Sequence, residues 1–215
     1  MSWPVRIATL SKGGNILRFT GALPPGVSYA RTGAASAITL NGVVKKFSAN
    51  QPPITDAGLL LEPALTNLCI YSETFAGAWS GNSAAVDTNV TLAPDGTNTG
   101  AKQRSFAGGT YQSKFYQPTF AAAGQIITRS AFLKAAEYSW AYLQQYDGAT
   151  NKGAYFNLST GAIGQVDAGI TAAIRQLANG WWRPSVTFQA AAGATYERVQ
   201  ITMAQSDGGN PIFVG

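Results

Sequence analysis

The chain contains no histidine. Its absence removes the commonest general base and the commonest metal ligand together. There is one cysteine, Cys69, so no internal disulfide and no multi-cysteine zinc site can form. Placed between Leu68 and Ile70, that thiol reads as a small hydrophobe rather than a nucleophile. Charge is scarce: Asp, Glu, Lys and Arg make up 12% of the chain, about half the usual share. No run of about 18 apolar residues occurs, so no membrane insertion is expected. Residues 1–10 lack the basic start and long apolar run of a signal peptide, which points to synthesis and assembly in a cytoplasm. Most acids sit in turn settings such as Pro94-Asp95-Gly96, Asp147-Gly148 and Asp207-Gly208-Gly209, where Asp serves its own backbone. No pattern pairs two carboxylates across one bond, as glycan-cleaving enzymes require. No Walker or Rossmann glycine pattern occurs either. No enzymatic activity, cofactor or metal is expected.

What is present is apolar and heavily punctuated. Apolar residues reach 46% and aromatics 11% of the 215 residues. That suits one or two small domains with a real core and argues against disorder. The 24 Gly and 10 Pro interrupt the chain throughout, and few windows hold a 3.6-residue period. Short alternating runs bounded by turn residues dominate, which is the all-β pattern. One short strand is expected at Ile16, Leu17 and Phe19, before Pro24-Pro25-Gly26. Ile38-Thr39-Leu40, the Asn41-Gly42 turn and Val43-Val44 spell a hairpin. Gln51-Pro52-Pro53 marks a linker. Residues 1–57 are therefore expected to form an extended arm with a small β segment. Beyond it, strands are expected at 59–61, 68–71, 129–134, 138–146, 154–158, 182–188 and 199–203. Val199, Ile201 and Met203 alternate with Gln200 and Thr202, so one face should be buried and one wet. Many strands without a convincing helix argue for a sandwich or jelly roll over 58–215.

Charge is placed unevenly. Residues 1–55 hold Arg6, Lys12, Arg18, Arg31, Lys45 and Lys46 and no acid, a local +6. The remainder has nine basic and ten acidic residues and carries −1. Only Lys45-Lys46 is adjacent, and no nucleic-acid-binding module is recognisable, so no nucleic-acid partner is expected. The six cations read either as a solvated surface or as a foot that docks on an acidic partner.

The aromatic residues are the candidates for binding. In a strand, Tyr138, Trp140, Tyr142, Gln144 and Tyr146 fall on one face, and Ser139, Ala141, Leu143 and Gln145 on the other. Flat rings stack on the apolar faces of pyranose sugars, and a nearby amide reads their hydroxyls. The first face therefore suits a sugar platform. It suits a core as well, with Tyr hydroxyls at the rim. Trp79, in a loop setting before Ser80-Gly81-Asn82, is either a binding contact or a plug over the end of the sandwich. Trp181 and Trp182 must face opposite ways, one into the core and the other open or stacked by Arg183. Tyr111 and Tyr116 are weaker candidates.

The order GLLLEPALTNLCIYSETF (58–75), Trp79, APDGTNT (93–99), FNLSTGAIG (156–164) and NGWWRPSVTF (179–188) resembles a sandwich domain of bacteriophage head-spike, head-fibre and tail-fibre proteins. Arg31, Asn41-Gly42 and Ala49-Asn50 fit the lead-in those proteins carry. The resemblance runs from about Tyr29 onward. Cys69 stands where an aliphatic residue is usual, and Pro53 and Leu65 where the family has arginine. The resemblance implies a jelly-roll fold similar to carbohydrate-binding modules and concanavalin-like sandwiches, preceded by a strand-containing anchoring segment. It implies a homotrimer at the particle surface, joined to other virion proteins through the N-terminal segment. The implied task is attachment to polysaccharide on the host surface, with an architectural decoration or adaptor protein as the alternative and a depolymerase as a weaker one. Similar proteins continue past 210–215 into one more apolar strand, so the sandwich is expected to lack its last strand.

Overall fold

The structure, a computed structural model, describes residues 11–12, 15–16, 22–23, 28–61, 67–106, 114–118, 123–147, 149–191 and 198–209. Arg6, Arg18, Tyr111 and the terminal stretch 210–215 lie outside the described residues. The chain is all-β: among the described residues the only helical element is a short 3-10 turn at Ala178–Gly180. No described helix is long and apolar enough to cross a membrane. Two compact units form, one from Met1–Thr66 with Pro94–Gly96, the other from Asn67–Ala93 with Thr97–Gly215.

The first unit consists of short antiparallel pairs. Strand β1 (Ser11–Lys12) pairs with β2 (Asn15–Ile16), β3 (Ala35–Ile38) with β4 (Val44–Phe47), and β5 (Ile54–Thr55) with β6 (Gly58–Leu59). The hairpin expected around Asn41-Gly42 is present. Its turn is closed by Thr39 N–H donating to the Val43 carbonyl at 2.9 Å and Gly42 N–H to the Thr39 carbonyl at 3.1 Å. Gly42 adopts φ 83°, which a side chain would resist. Ala35, Ala37 and Phe47 bury their side chains together, with Leu60 against them. The boundary expected between residues 57 and 58 falls inside the β5–β6 hairpin, because Thr55 pairs with Gly58 and Ile54 with Leu59.

The second unit has two larger antiparallel sheets and a separate hairpin. The hairpin is β8 (Ala84–Thr91) with β9 (Gly100–Ser105). The six-stranded sheet runs β15 (Ile163–Val166), β14 (Asn151–Asn157), β13 (Trp140–Tyr146), β18 (Arg198–Ala204), β10 (Lys114–Pro118) and β7 (Ser80–Asn82). In the four-stranded sheet, β17 (Trp181–Gln189) pairs with β11 (Ile126–Ser130), β12 (Leu133–Lys134) and β16 (Thr171–Gln176). One core joins the two sheets, the arrangement of a β-sandwich. Ala141, Leu143, Ala154, Phe156, Val199 and Ile201 from the larger sheet meet Val186 from the smaller, with Leu133, Ala172, Ile174 and Trp182 packed around them. These positions alternate along their strands, as half-buried strands require. Fully burying a side chain such as Phe156 or Leu143 contributes about 1.5–3 kcal/mol.

Two local results correct the sequence expectations. Residues 68–71 form no strand, and a turn runs over 70–74: Tyr71 and Phe75 take φ 52° and 51°, and Phe75 N–H donates to the Tyr71 carbonyl. A side chain replaces the missing ladder. The buried Gln117 amide accepts from Ile70 N–H at 2.9 Å and donates to the Ile70 carbonyl at 2.6 Å. The tryptophan pair divides as expected, with Trp182 against the core and Trp181 on the opposite face of β17. Trp181 is nevertheless buried, its indole N–H donating to the Leu92 carbonyl at 3.0 Å. Trp182 lies over Gly161, whose φ of 77° turns the β14–β15 connection and where a Cβ would fall 2.2 Å from the indole.

Candidate functional site

The outer face of the six-stranded sheet is built by register. On β13, Ala141 and Leu143 enter the core, so Trp140, Tyr142, Gln144 and Tyr146 stand on the opposite face. Antiparallel pairing sets their neighbours in transverse rows. One row is Asn151, Tyr146 and Arg198. The next is Gly153, Gln144, Gln200 and Tyr116. A third is Tyr155, Tyr142 and Thr202, and a fourth Asn157, Trp140 and Ala204. The strip therefore carries aromatic rings toward both ends and neutral amides and hydroxyls between them.

Burial on this face is uneven. Trp140 and Tyr146 are half-buried, whereas Tyr142 retains 7% of its surface and Gln144 none. Tyr142 and Tyr155 stack with ring centroids 4.3 Å apart and planes 8° from parallel. The Tyr142 hydroxyl donates to the Asp167 carboxylate, and the same carboxylate oxygen accepts from Gly153 N–H at 2.8 Å. Burial, and then the hydrogen bond to Asp167, raise the Tyr142 hydroxyl above its ordinary pKa of 10.0. Burial also raises Tyr155, with the charges of Asp167 and Asp207 adding to it. Asp207 is held in turn, accepting from Gln165 N–H at 2.6 Å. A Cβ at Gly153 would fall 2.1 Å from the Leu143 carbonyl, so this row has no room for a side chain there.

The middle of the strip is a buried polar ladder. Gln144 donates its amide to the Thr202 hydroxyl at 2.6 Å, and Gln200 donates to the Asn151 side-chain oxygen at 2.5 Å. Both glutamines are fully buried, and their carbonyl oxygens accept no hydrogen bond among the described residues. Beside them, the Arg198 guanidinium lies between two rings, 4.3 Å from the Tyr146 centroid and 4.8 Å from that of Tyr116.

Not every expected site residue joins this face. Trp140, Tyr142, Gln144 and Tyr146 do, but the Gln144 amide offers no surface to solvent because its row is covered. Tyr138 lies before the strand begins and is half-buried in the connection from β12. Trp79 packs against the core, tilted 58° on Phe75 at 5.1 Å, with its indole N–H donating to the Ile70 carbonyl at 3.2 Å. Those are the contacts of a plug. Of the cationic candidates, Lys12 is placed in β1, and Lys45 and Lys46 are exposed on β4. Lys46 pairs with Asp95 at 3.0 Å. Arg31 is tied to Asn50 through its backbone, at 3.1 Å to the side-chain oxygen and 3.0 Å to the backbone N–H.

Asn151, Tyr155, Gln200 and Arg198 come from neighbouring strands and carry no signal within one strand's own period. Among the described residues, no group of three or more Cys, Asp or Glu could hold a metal. No protein-family model matches the chain, and no curated protein matches it.

Proposed function

We propose that this chain is a non-enzymatic structural protein of a bacteriophage particle, a head or tail fibre or spike, whose sandwich unit attaches to host-surface glycans. In this reading the sandwich is a jelly roll similar to a carbohydrate-binding module. The basic first unit, with Arg31, Lys45 and Lys46, docks on other virion proteins, and three copies assemble so that weak sugar contacts add through avidity. Two features support it: the ordered motifs from Tyr29 onward, and the outer face of the six-stranded sheet. The single observation that carries the binding role is that Trp140 and Tyr146 stand half-buried on the face opposite the inter-sheet core, Trp140 against the Tyr142, Tyr155 and Ala204 cluster and Tyr146 beside the exposed Asn151.

The test is a glycan array of host-surface polysaccharides with wild type and Trp140→Ala. Loss of a stacking ring is expected to weaken binding about ten-fold, with the thermal midpoint followed as a control. Unchanged binding in that variant would count against the assignment. Tyr142→Ala is a poor probe, since the buried Tyr142–Tyr155 stack belongs to the fold.

The purely architectural alternative has its own support, the burial of Tyr142 and Gln144. It expects particles carrying Trp140→Ala to adsorb to host cells as wild type does.

A further inference from the structure

We infer that Tyr71 is a stacking platform for a neutral pyranose sugar, a second glycan contact on the sandwich unit. This rests on the glycan-binding reading above and adds to it a subsite and a class of sugar.

Tyr71 retains 57% of its surface, against 49% at Phe106 and 40% at Phe132, the next most exposed aromatic residues described. What sets it apart is how the ring is held. A Cβ at Gly77 would fall 3.0, 3.2 and 3.6 Å from the Cε2, Cδ2 and Cζ atoms of Tyr71. Three consecutive ring atoms at nearly one distance place the glycine against the face of the ring rather than its edge. Gly77, at φ 61°, therefore backs one face and leaves the other to solvent. A flat, open aromatic face is what the apolar C–H face of a pyranose stacks on.

The backbone beneath the ring is fixed against its own preference. Tyr71 takes φ 52°, which a bulky side chain adopts only where its surroundings hold it. Ile70, the residue before it, is clamped at both polar groups. Its N–H donates to the Gln117 side chain at 2.9 Å, and its carbonyl accepts from the Gln117 amide at 2.6 Å and the Trp79 indole at 3.2 Å. The Tyr71 carbonyl accepts from Thr74 N–H at 3.2 Å and Phe75 N–H at 3.0 Å. Phe75 and Trp79 in turn pack against the core between the sheets. A ring preset in this way gives up little freedom when a ligand lands on it.

The turn also selects by charge. Residues 67–79 hold Glu73 and no cation, so a uronate or sulfated sugar meets a like charge there and a neutral hexose does not. Ser72 and Thr74, both exposed, follow Tyr71 in the turn and offer hydroxyls to those of the sugar.

The experiment measures binding of the full chain to dextran, laminarin and galactomannan, which are neutral, and to polygalacturonate, which is anionic. Four proteins are compared: wild type, Tyr71→Asn, Tyr71→Trp and Phe106→Asn. Asparagine removes the ring and tolerates the left-handed backbone, so the thermal midpoint should hold. Wild type is expected to bind at least one neutral polymer, and Tyr71→Asn to bind it about ten-fold more weakly. Tyr71→Trp, which keeps a stacking face and loses the hydroxyl, should stay within about three-fold of wild type. Phe106→Asn removes an exposed ring elsewhere and should bind as wild type does. Hydroxyl-radical footprinting of wild type reads the same contact without a variant: bound neutral polymer should protect Tyr71. No loss in Tyr71→Asn, equal loss in Phe106→Asn, or equal loss in Tyr71→Trp overturns the inference. So does binding of polygalacturonate alone, or a bound polymer that leaves Tyr71 unprotected. Wild type binding none of the four overturns the glycan-binding reading itself, a result distinct from binding that ignores Tyr71.

Discussion

On one face of β13, Ala141 and Leu143 pack among Phe156, Val199 and Ile201; on the other, Tyr142 and Gln144 lie as deep beside Tyr155, Gln200 and Thr202. Five consecutive residues of this strand are buried, so depth alone does not tell the two faces apart. Their chemistry does. The inner face is closed chiefly by hydrocarbon, whose stabilisation grows with the area removed from water, with Gln145 as its buried polar member on β13. The outer face is closed by stacked rings, a carboxylate and amides, which need matched partners when buried. A side chain removed from the inner face should therefore cost a cavity, whereas one removed from the outer face should cost whatever hydrogen bonds it held.

The largest contrast is expected from Phe156→Ala. Phe156 has no exposed surface and sits in the inner core opposite Ala141. Its truncation should lower the unfolding free energy by about 3–5 kcal/mol, read from urea denaturation. A loss below about 1 kcal/mol would mean that the two sheets do not close over it.

The outer face should yield a smaller, pH-dependent effect in Tyr142→Phe. The ring and its stack on Tyr155 remain, and only the hydroxyl donated to Asp167 is lost. A hydrogen bond to a charged group is worth about 1.5–3 kcal/mol, which sets the expected loss at neutral pH. The pKa of this hydroxyl is raised in the fold, so the protonated form is favoured there. Below its ordinary value of 10.0 the hydroxyl is protonated in the folded and unfolded chains alike, and the contribution is fully present. Above that value the unfolded chain ionises first, and stability falls as pH rises. The variant has nothing to ionise at this position, so its decline between about pH 10 and 12 should be shallower than that of wild type. Parallel declines would remove Tyr142 as the source.

The inner face was the more legible of the two. Period-two alternation placed Val199 and Ile201 in the core, but the expected wet face of that strand is wrong, since Gln200 and Thr202 are fully buried, and on β13 alternation divided the two faces without saying that Ala141 and Leu143 form the inner one. The same logic failed at 68–71. An apolar run there mimics a strand, while its hydrogen bonds go to Gln117, which lies 47 residues from Ile70 in sequence. It was silent on β8 and β9, where Asp87, Asn89, Lys102 and Arg104 leave little apolar rhythm to detect. The outer face was half legible. Its aromatic members on β13 were visible, but Arg198, Asn151, Tyr116 and Tyr155 join them only through cross-strand register, which no single strand records.

The smallest effect is expected in the buried polar ladder, and its sign is the informative part. Gln144 gains one hydrogen bond, to Thr202, and leaves its carbonyl oxygen without a donor among the described residues. Changing Gln144→Met alone should cost about 1 kcal/mol, because the Thr202 hydroxyl then loses its partner inside the protein. Changing Gln144→Met together with Thr202→Val replaces both partners by apolar groups of similar shape. That double change should be neutral, or stabilising by less than about 1 kcal/mol, because the desolvated carbonyl oxygen goes too. Thermal midpoints of the three proteins decide it. If the double variant instead loses more than about 1.5 kcal/mol, a bound water completes the glutamine oxygen, since removing an ordered water with its partners is costly. The outer face would then be held by solvent as well as by side chains.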